Sequence, residues 1–232
     1  MKRCRDKEPY LRREILVHHL RGVFGMNDYP VSRMEGVVMR SRLHEGSCKP
    51  FKGFSKPFVL IDFGRKGARC DLRDLPSESV AQSSRFFSQW GSAIAFDYII
   101  GAQDRFRQNY VWEADTGKMY PVDNEERPLQ LNAQTGKEEF VPFDSEFDNV
   151  RNCLRMFIPS DQDGRKTAVS ALRTGFFNFW NQALGRLTPE QVSADRVLSA
   201  PESEIELNYA RTIMQQEKPS DTLVRLLDEF TR

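Results

Sequence analysis

The chain has 232 residues, 39% hydrophobic and 29% charged, enough for one substantial domain or two modest lobes around a real core. Its 34 Lys and Arg against 33 Asp and Glu leave a formal net charge of +1, without the global field expected of a nucleic-acid-binding protein. No apolar run approaches the roughly 20 residues that span a bilayer, and the charged N-terminus lacks an apolar signal core. A soluble, cytoplasmic protein with neither membrane nor nucleic acid as partner is the expectation.

The charge is uneven along the chain. Basic residues such as Lys2, Arg12, Lys52 and Lys66 gather in the first 70 positions, and the stretch from Asp123 to Asp148 is acidic. A solvated charged face accounts for the basic part, as does a phosphate-bearing ligand. The four cysteines (Cys4, Cys48, Cys70, Cys153) are scattered without CxxC spacing, which argues against a zinc site and a disulfide framework.

In chain order, residues 10–25 place Leu11, Ile15, Leu16, Leu20, Val23 and Phe24 near a 3.6-residue period, with Gly25 as the stop. The runs VVMRS at 37–41 and PFVLIDFG at 57–64 are rich in strand formers and flank a loop of Gly, Lys, Pro and Ser. A long helix is expected from about residue 77, capped by Ser77 or Ser79. Two short strands around Asp115-Thr116-Gly117 form a hairpin. Helices then follow at 145–157, 165–185, after the Thr188 cap, at 201–217 and at 220–231. The fold class is therefore α+β. A small α/β lobe precedes a mainly helical one.

The segment FDYIIGAQDRFRQNY at 96–110 ends a core helix, through Phe96, Ile99 and Ile100, on an acid, a base and an amide: Asp104, Arg105 and Asn109. A hairpin turning about Thr116 would set Asn109 opposite Asp123, and directly opposed residues have Cβ atoms about 5 Å apart. An amide oxygen and a carboxylate at that distance suit a hard divalent cation, which keeps its other positions for water and phosphate. Asp104 would stand beside it. One carboxylate to orient a nucleophile and a second, with an amide, to hold metal are what phosphoryl transfer needs.

Other motifs have plainer readings. His18 and His19 lie mid-helix without a ligand partner at i+4, and no Ser/His/Asp triad can be assembled. DQDG at 161–164 lacks the distal Glu of a calcium loop and is a turn. FFNFW at 176–180 is helical core. Asp62 in LIDFG ends a strand, and Glu125 and Glu126 are either an acidic rim or support for Asp123.

The segments FDYIIGAQDRFRQN and YPVDN resemble the catalytic and metal-binding segments of atypical kinases. That superfamily spans phosphatidylinositol 3- and 4-kinases, HipA-type bacterial kinases and the secretory casein-kinase group. The resemblance covers roughly residues 1–125. It implies a kinase-like two-lobed fold, with a reduced N-terminal lobe at 1–64 and a helical C-terminal lobe at 65–232. By it, Asp104 is the catalytic residue, Asn109 and Asp123 bind metal, and the cofactors are ATP with Mg²⁺ or Mn²⁺. The segment REILVHHLRGVFGMNDYPVSRMEG is similar to the family's helix-then-strand segment. Glu14 would there pair with an ATP-binding Lys, Lys2 first and Lys7 second. Phe106 stands where the family carries His. The implied function is ATP-dependent phosphorylation of protein Ser/Thr; the alternative is a non-catalytic pseudokinase that binds a protein partner.

Overall fold

The computed structural model describes residues 2–3, 8–26, 32–35, 38–41, 58–59, 69–124, 129–131, 134, 138–140, 143–216 and 218–231. The readings made for Lys7, Asp62, Glu125 and Glu126 lie outside these residues.

Helix α1 (Glu8–Val23) begins two residues before the expected start. Its end is a double-bonded C-cap: Gly25 N donates to Gly22 O at 3.0 Å and Met26 N to Arg21 O at 2.8 Å, with Gly25 at φ +81°. Of the residues picked out by the periodicity, Ile15, Leu16 and Leu20 of α1 and Phe24 just after it are buried, and Val17 joins them. Helix α2 (Ser84–Ile100) starts later than predicted. Ser77–Ser79 forms only a 3-10 turn, and the cap is Ser83, whose Oγ accepts from Phe86 N at 3.1 Å. The α2 C-terminus repeats the α1 device, with Gly101 at φ +62° and Ala102 N donating to Asp97 O at 2.9 Å.

The later helices fall close to their predicted places. They are α3 (Phe147–Arg155), α4 (Gln162–Ala183), α5 (Pro189–Ala194), α6 (Glu204–Gln216) and α7 (Pro219–Thr231). DQDG is the start of α4: the Asp161 carboxylate accepts from Gly164 N at 2.7 Å and caps the helix. Thr188 and Gln191 form a reciprocal capping box on α5. Within FFNFW, Phe176, Phe179 and Trp180 are buried core, and Phe176 stacks on Trp180.

Helices α2 and α4 cross at two glycines. A Cβ on Gly91 would lie 2.0 Å from Leu172 O, and one on Gly175 would lie 1.7 Å from Ser88 O. Ser92 Oγ closes the crossing with a 3.0 Å bond to Gly175 O. Backbones this close bring the apolar faces of both helices into full contact, and each large side chain so buried contributes about 1.5–3 kcal/mol. One apolar cluster runs from Leu16 and Phe24 of α1 through Trp90 and Ile94 of α2 to Trp180 and Phe230. The first helix thus shares the core of the helical remainder.

Strands β1 (Lys2–Arg3), β2 (Ser32–Glu35), β3 (Val38–Ser41) and β4 (Phe58–Val59) form a sheet in the order β1-β4-β3-β2, with β3 and β4 parallel. Lys2 pairs with Val59. Strands β5 (Arg69–Asp71), β6 (Tyr110–Glu113) and β7 (Lys118–Pro121) make an antiparallel sheet in chain order, and β8 (Leu129–Leu131) pairs with β9 (Glu138–Phe140). The architecture is helix-rich α+β. Among the described residues, no helix is long and apolar enough to cross a membrane.

Candidate active site

Gly101 turns the chain out of α2 into residues 102–109, which lead to β6 through a 3-10 turn at Arg107–Asn109. Asp104 in this loop has φ +61°, and Asp123, just beyond β7, has φ +60°. They are the only non-glycine residues in the left-handed region among those described. Aspartate tolerates that region better than most residues, yet such backbones persist only where the surroundings fix them, and they cluster at functional sites.

The fixing group is Arg105, fully buried. Its guanidinium donates to Val122 O at 3.2 Å, to Asp123 O at 2.7 Å, to Asn124 Oδ1 at 3.4 Å and to its own loop at Gln103 O, 3.1 Å. Its ion partner is Asp97 on α2 at 3.4 Å, equally buried, and Tyr110 donates to the other Asp97 oxygen at 2.9 Å. The Arg105 N–H donates to Glu146 Oε2 at 2.9 Å. One side chain therefore ties the loop bearing Asp104 to the segment bearing Asp123.

Burial pushes the Asp97 carboxyl above its usual range, although Arg105 and the Tyr110 bond pull it down. Burial also works against the Arg105 charge, but Asp97, Tyr110, Asp123 and Glu14 outweigh it and hold the guanidinium above its ordinary pKa.

Asn109 is buried, and its Nδ2 donates to the Asp104 carbonyl. That bond to an acceptor fixes the amide orientation and leaves Oδ1 as the end able to meet a cation. The register of the hairpin differs from expectation. The pairs are Tyr110↔Pro121, Val111↔Tyr120, Trp112↔Met119 and Glu113↔Lys118, so Asn109 continues opposite Val122, whose N donates to Asn109 O at 2.8 Å. The turn contains four residues, 114–117, with Gly117 at φ +58°, and is centred between Asp115 and Thr116 instead of on Thr116. Asp123 accordingly sits one residue past the position facing Asn109. It also lies beyond the end of β7, where the left-handed turn replaces the strand alternation that would have set its face.

Glu14 of α1 reaches the same place. Its Oε2 accepts from Asn124 N at 2.7 Å, while Arg13 Nε donates to Asn124 O at 3.0 Å. Arg13 also donates to Ile100 O at 2.9 Å and Gly101 O at 3.4 Å, at the end of α2. Lys2 lies on β1, and its side chain is outside the described residues. The main chain of Asp104 and of Asp123, the Asn109 amide and the Glu14 carboxylate are thus linked through direct bonds or through Arg105 and Asn124.

The sequence reading missed Asp97, Glu146, Arg13, Asn124 and the structural part played by Arg105. A signal existed for Asp97, the single acid of α2, set in its apolar second half eight residues before an arginine. No signal marked Glu146 or Arg13, whose partners are 41 and 111 residues away.

The donors offered by Asp104, Asn109 and Asp123 are all oxygens, the set preferred by Mg²⁺ or Mn²⁺ over softer metals. Among the described residues no three His, Cys, Asp or Glu side chains gather as a self-sufficient metal cage. By donor type, two carboxylates and an amide would suit a cation that takes its remaining ligands from phosphate and water. Comparison with family models, curated proteins and solved structures finds no match.

Proposed function

We propose that the protein is an ATP-dependent phosphotransferase of the atypical kinase type, with a protein Ser/Thr hydroxyl as acceptor. In this reading the β1–β4 sheet belongs to a reduced N-terminal lobe at 1–64, whose helix α1 packs into the core of the helical lobe. The helices from α2 onward form the C-terminal lobe at 65–232, and ATP binds between the two with Lys2 on its phosphates. The observation that carries the reading is the pair of left-handed aspartates, Asp104 and Asp123, fixed in one buried network by Arg105.

Asp104 orients the acceptor hydroxyl and takes its proton. Asn109 Oδ1 and Asp123 hold Mg²⁺ or Mn²⁺, which neutralises phosphate charge when bound. The strained backbones favour the reading because a catalytic carboxylate must be held against rotation, and a left-handed residue pinned at its carbonyl has little freedom left.

The test is incorporation of labelled γ-phosphate into the protein or a generic acceptor, run beside nucleotide binding on the same variants. Asp104→Ala should leave binding nearly intact and lower transfer by about 100-fold or more. Asp123→Asn should weaken metal-dependent nucleotide binding and transfer together. Binding without transfer in the wild type would favour the non-catalytic, partner-binding alternative. No stabilisation of the wild type by millimolar ATP with either Mg²⁺ or Mn²⁺ would end the nucleotide reading.

A further inference from the structure

Resemblance assigns Glu14 to a phosphate-binding lysine. Its contacts in the structure point elsewhere. Glu14 is 3% exposed, and its Oε2 accepts from the Asn124 main-chain N–H at 2.7 Å. Asn124 is itself 1% exposed and directly follows the left-handed Asp123. The neighbouring Arg13 takes the Asn124 carbonyl, and Arg105 takes the carbonyls of Val122 and Asp123. Asn109 O receives the Val122 N–H. The backbone on both sides of Asp123 is thus held by buried groups, two of them consecutive residues of α1.

From this we infer that Glu14 is a positioning residue for Asp123, acting through the Asn124 amide, and that α1 sets the geometry of the metal-binding segment. The inference rests on the functional reading only in calling Asp123 a metal ligand. What Glu14 supplies is a hydrogen-bond acceptor to an amide that water cannot reach. A glutamine supplies the same acceptor without charge, whereas an alanine leaves a buried N–H unpaired. A lysine partner, by contrast, requires the charge. The two roles therefore predict different outcomes for the same two variants: rescue by glutamine for the acceptor, equal loss for the charge partner.

Hydrogen exchange by NMR on the full chain reads the positioning directly. In Glu14→Ala, protection of the Asn124 amide should fall by about tenfold or more while α4 amides such as Leu172 keep theirs. Glu14→Gln should restore most of the Asn124 protection. Mn²⁺ binding with ADP, followed by the EPR signal of free Mn²⁺, reads the consequence. Affinity should drop by about tenfold in Glu14→Ala, as for other groups that orient a metal ligand, and recover in Glu14→Gln.

Unchanged Asn124 exchange in Glu14→Ala overturns the proposal. So does a Glu14→Gln variant as impaired in Mn²⁺ affinity as Glu14→Ala, since that is the behaviour of a charge partner. If Glu14→Ala does not fold, Glu14→Gln alone still decides between the roles. A wild type that protects Asn124 but binds no Mn²⁺ with ADP overturns the functional reading and the metal consequence, and leaves the exchange result standing on its own.

Discussion

Arg105 donates to four main-chain or side-chain oxygens and to the Asp97 carboxylate, its ion partner among the described residues. Removing one member of a buried pair leaves the other uncompensated, which costs far more than the pair is worth against an apolar replacement. Asp97→Ala should lower unfolding free energy by about 3–5 kcal/mol in a urea titration. An effect below about 1 kcal/mol would show that the pair is not structural. Cys153, donating to Arg105 O at 3.8 Å, gives a second test. Burial pushes its thiol up to about 11, so at pH 8 only about 0.1% is thiolate. Site-resolved alkylation at that pH should spare Cys153 until the protein is unfolded. At this scale the sequence picks out Asp104, Asn109 and Asp123 as candidates, because they arrive in order on a helix exit and a hairpin. It hides the groups that hold them. A buried arginine on an amphipathic helix has the same local pattern as a surface one until its distant partner is known.

Elements were more legible than their edges. Helices α3 to α7 lie near their predicted places because caps and periodicity are local. The α2 start moved to Ser84 because both Ser77 and Ser83 are plausible caps, and only packing decides which turn continues. The hairpin was correctly located but off by one in register, since turn residues mark a turn better than they fix its length. Strands β5, β8 and β9, three residues each, are too short to carry a period. The α2–α4 crossing was invisible, though both of its glycines are in plain view. Gly175→Ala should destabilise the protein by about 3 kcal/mol or more, above ordinary overpacking, because its Cβ would meet a carbonyl oxygen that cannot move aside alone. Gly185→Ala is the control for backbone strain without crowding: φ is +76° and nothing lies within 4 Å of a Cβ there. Equal loss in the two variants would mean that the crossing tolerates separation.

Across the molecule α1 is the connecting element, tied along its length to parts distant in sequence. Arg13 and Glu14 hold Asn124, Arg21 donates to Pro121 O, and Gln182 of α4 donates to Phe24 O at 3.1 Å. Its apolar face belongs to the same cluster as α7. It should therefore unfold with the helical part in one transition, and its core amides should exchange no faster than those of α4. A further tie of α1 is titratable. His19 Nδ1 lies 2.6 Å from Asp195 Oδ2, while Asp195 Oδ1 accepts from Val197 N at 2.8 Å and Leu198 N at 3.1 Å. Burial pushes the Asp195 carboxyl up, but His19 and the two amides outweigh it and bring it below the usual range. A carboxyl lowered on folding stabilises the folded state above its unfolded pKa of about 3.9, and that stability is lost as pH falls through the lower folded value. Asp195→Asn should thus be less stable than wild type at pH 5, above the unfolded pKa of the carboxyl. The margin should narrow below pH 4, because protonated wild type then resembles the variant. Chemical denaturation of both proteins at pH 5 and 3.5 measures it; a margin that stays constant to pH 3.5, or grows, would show that the Asp195 carboxylate does not anchor α1.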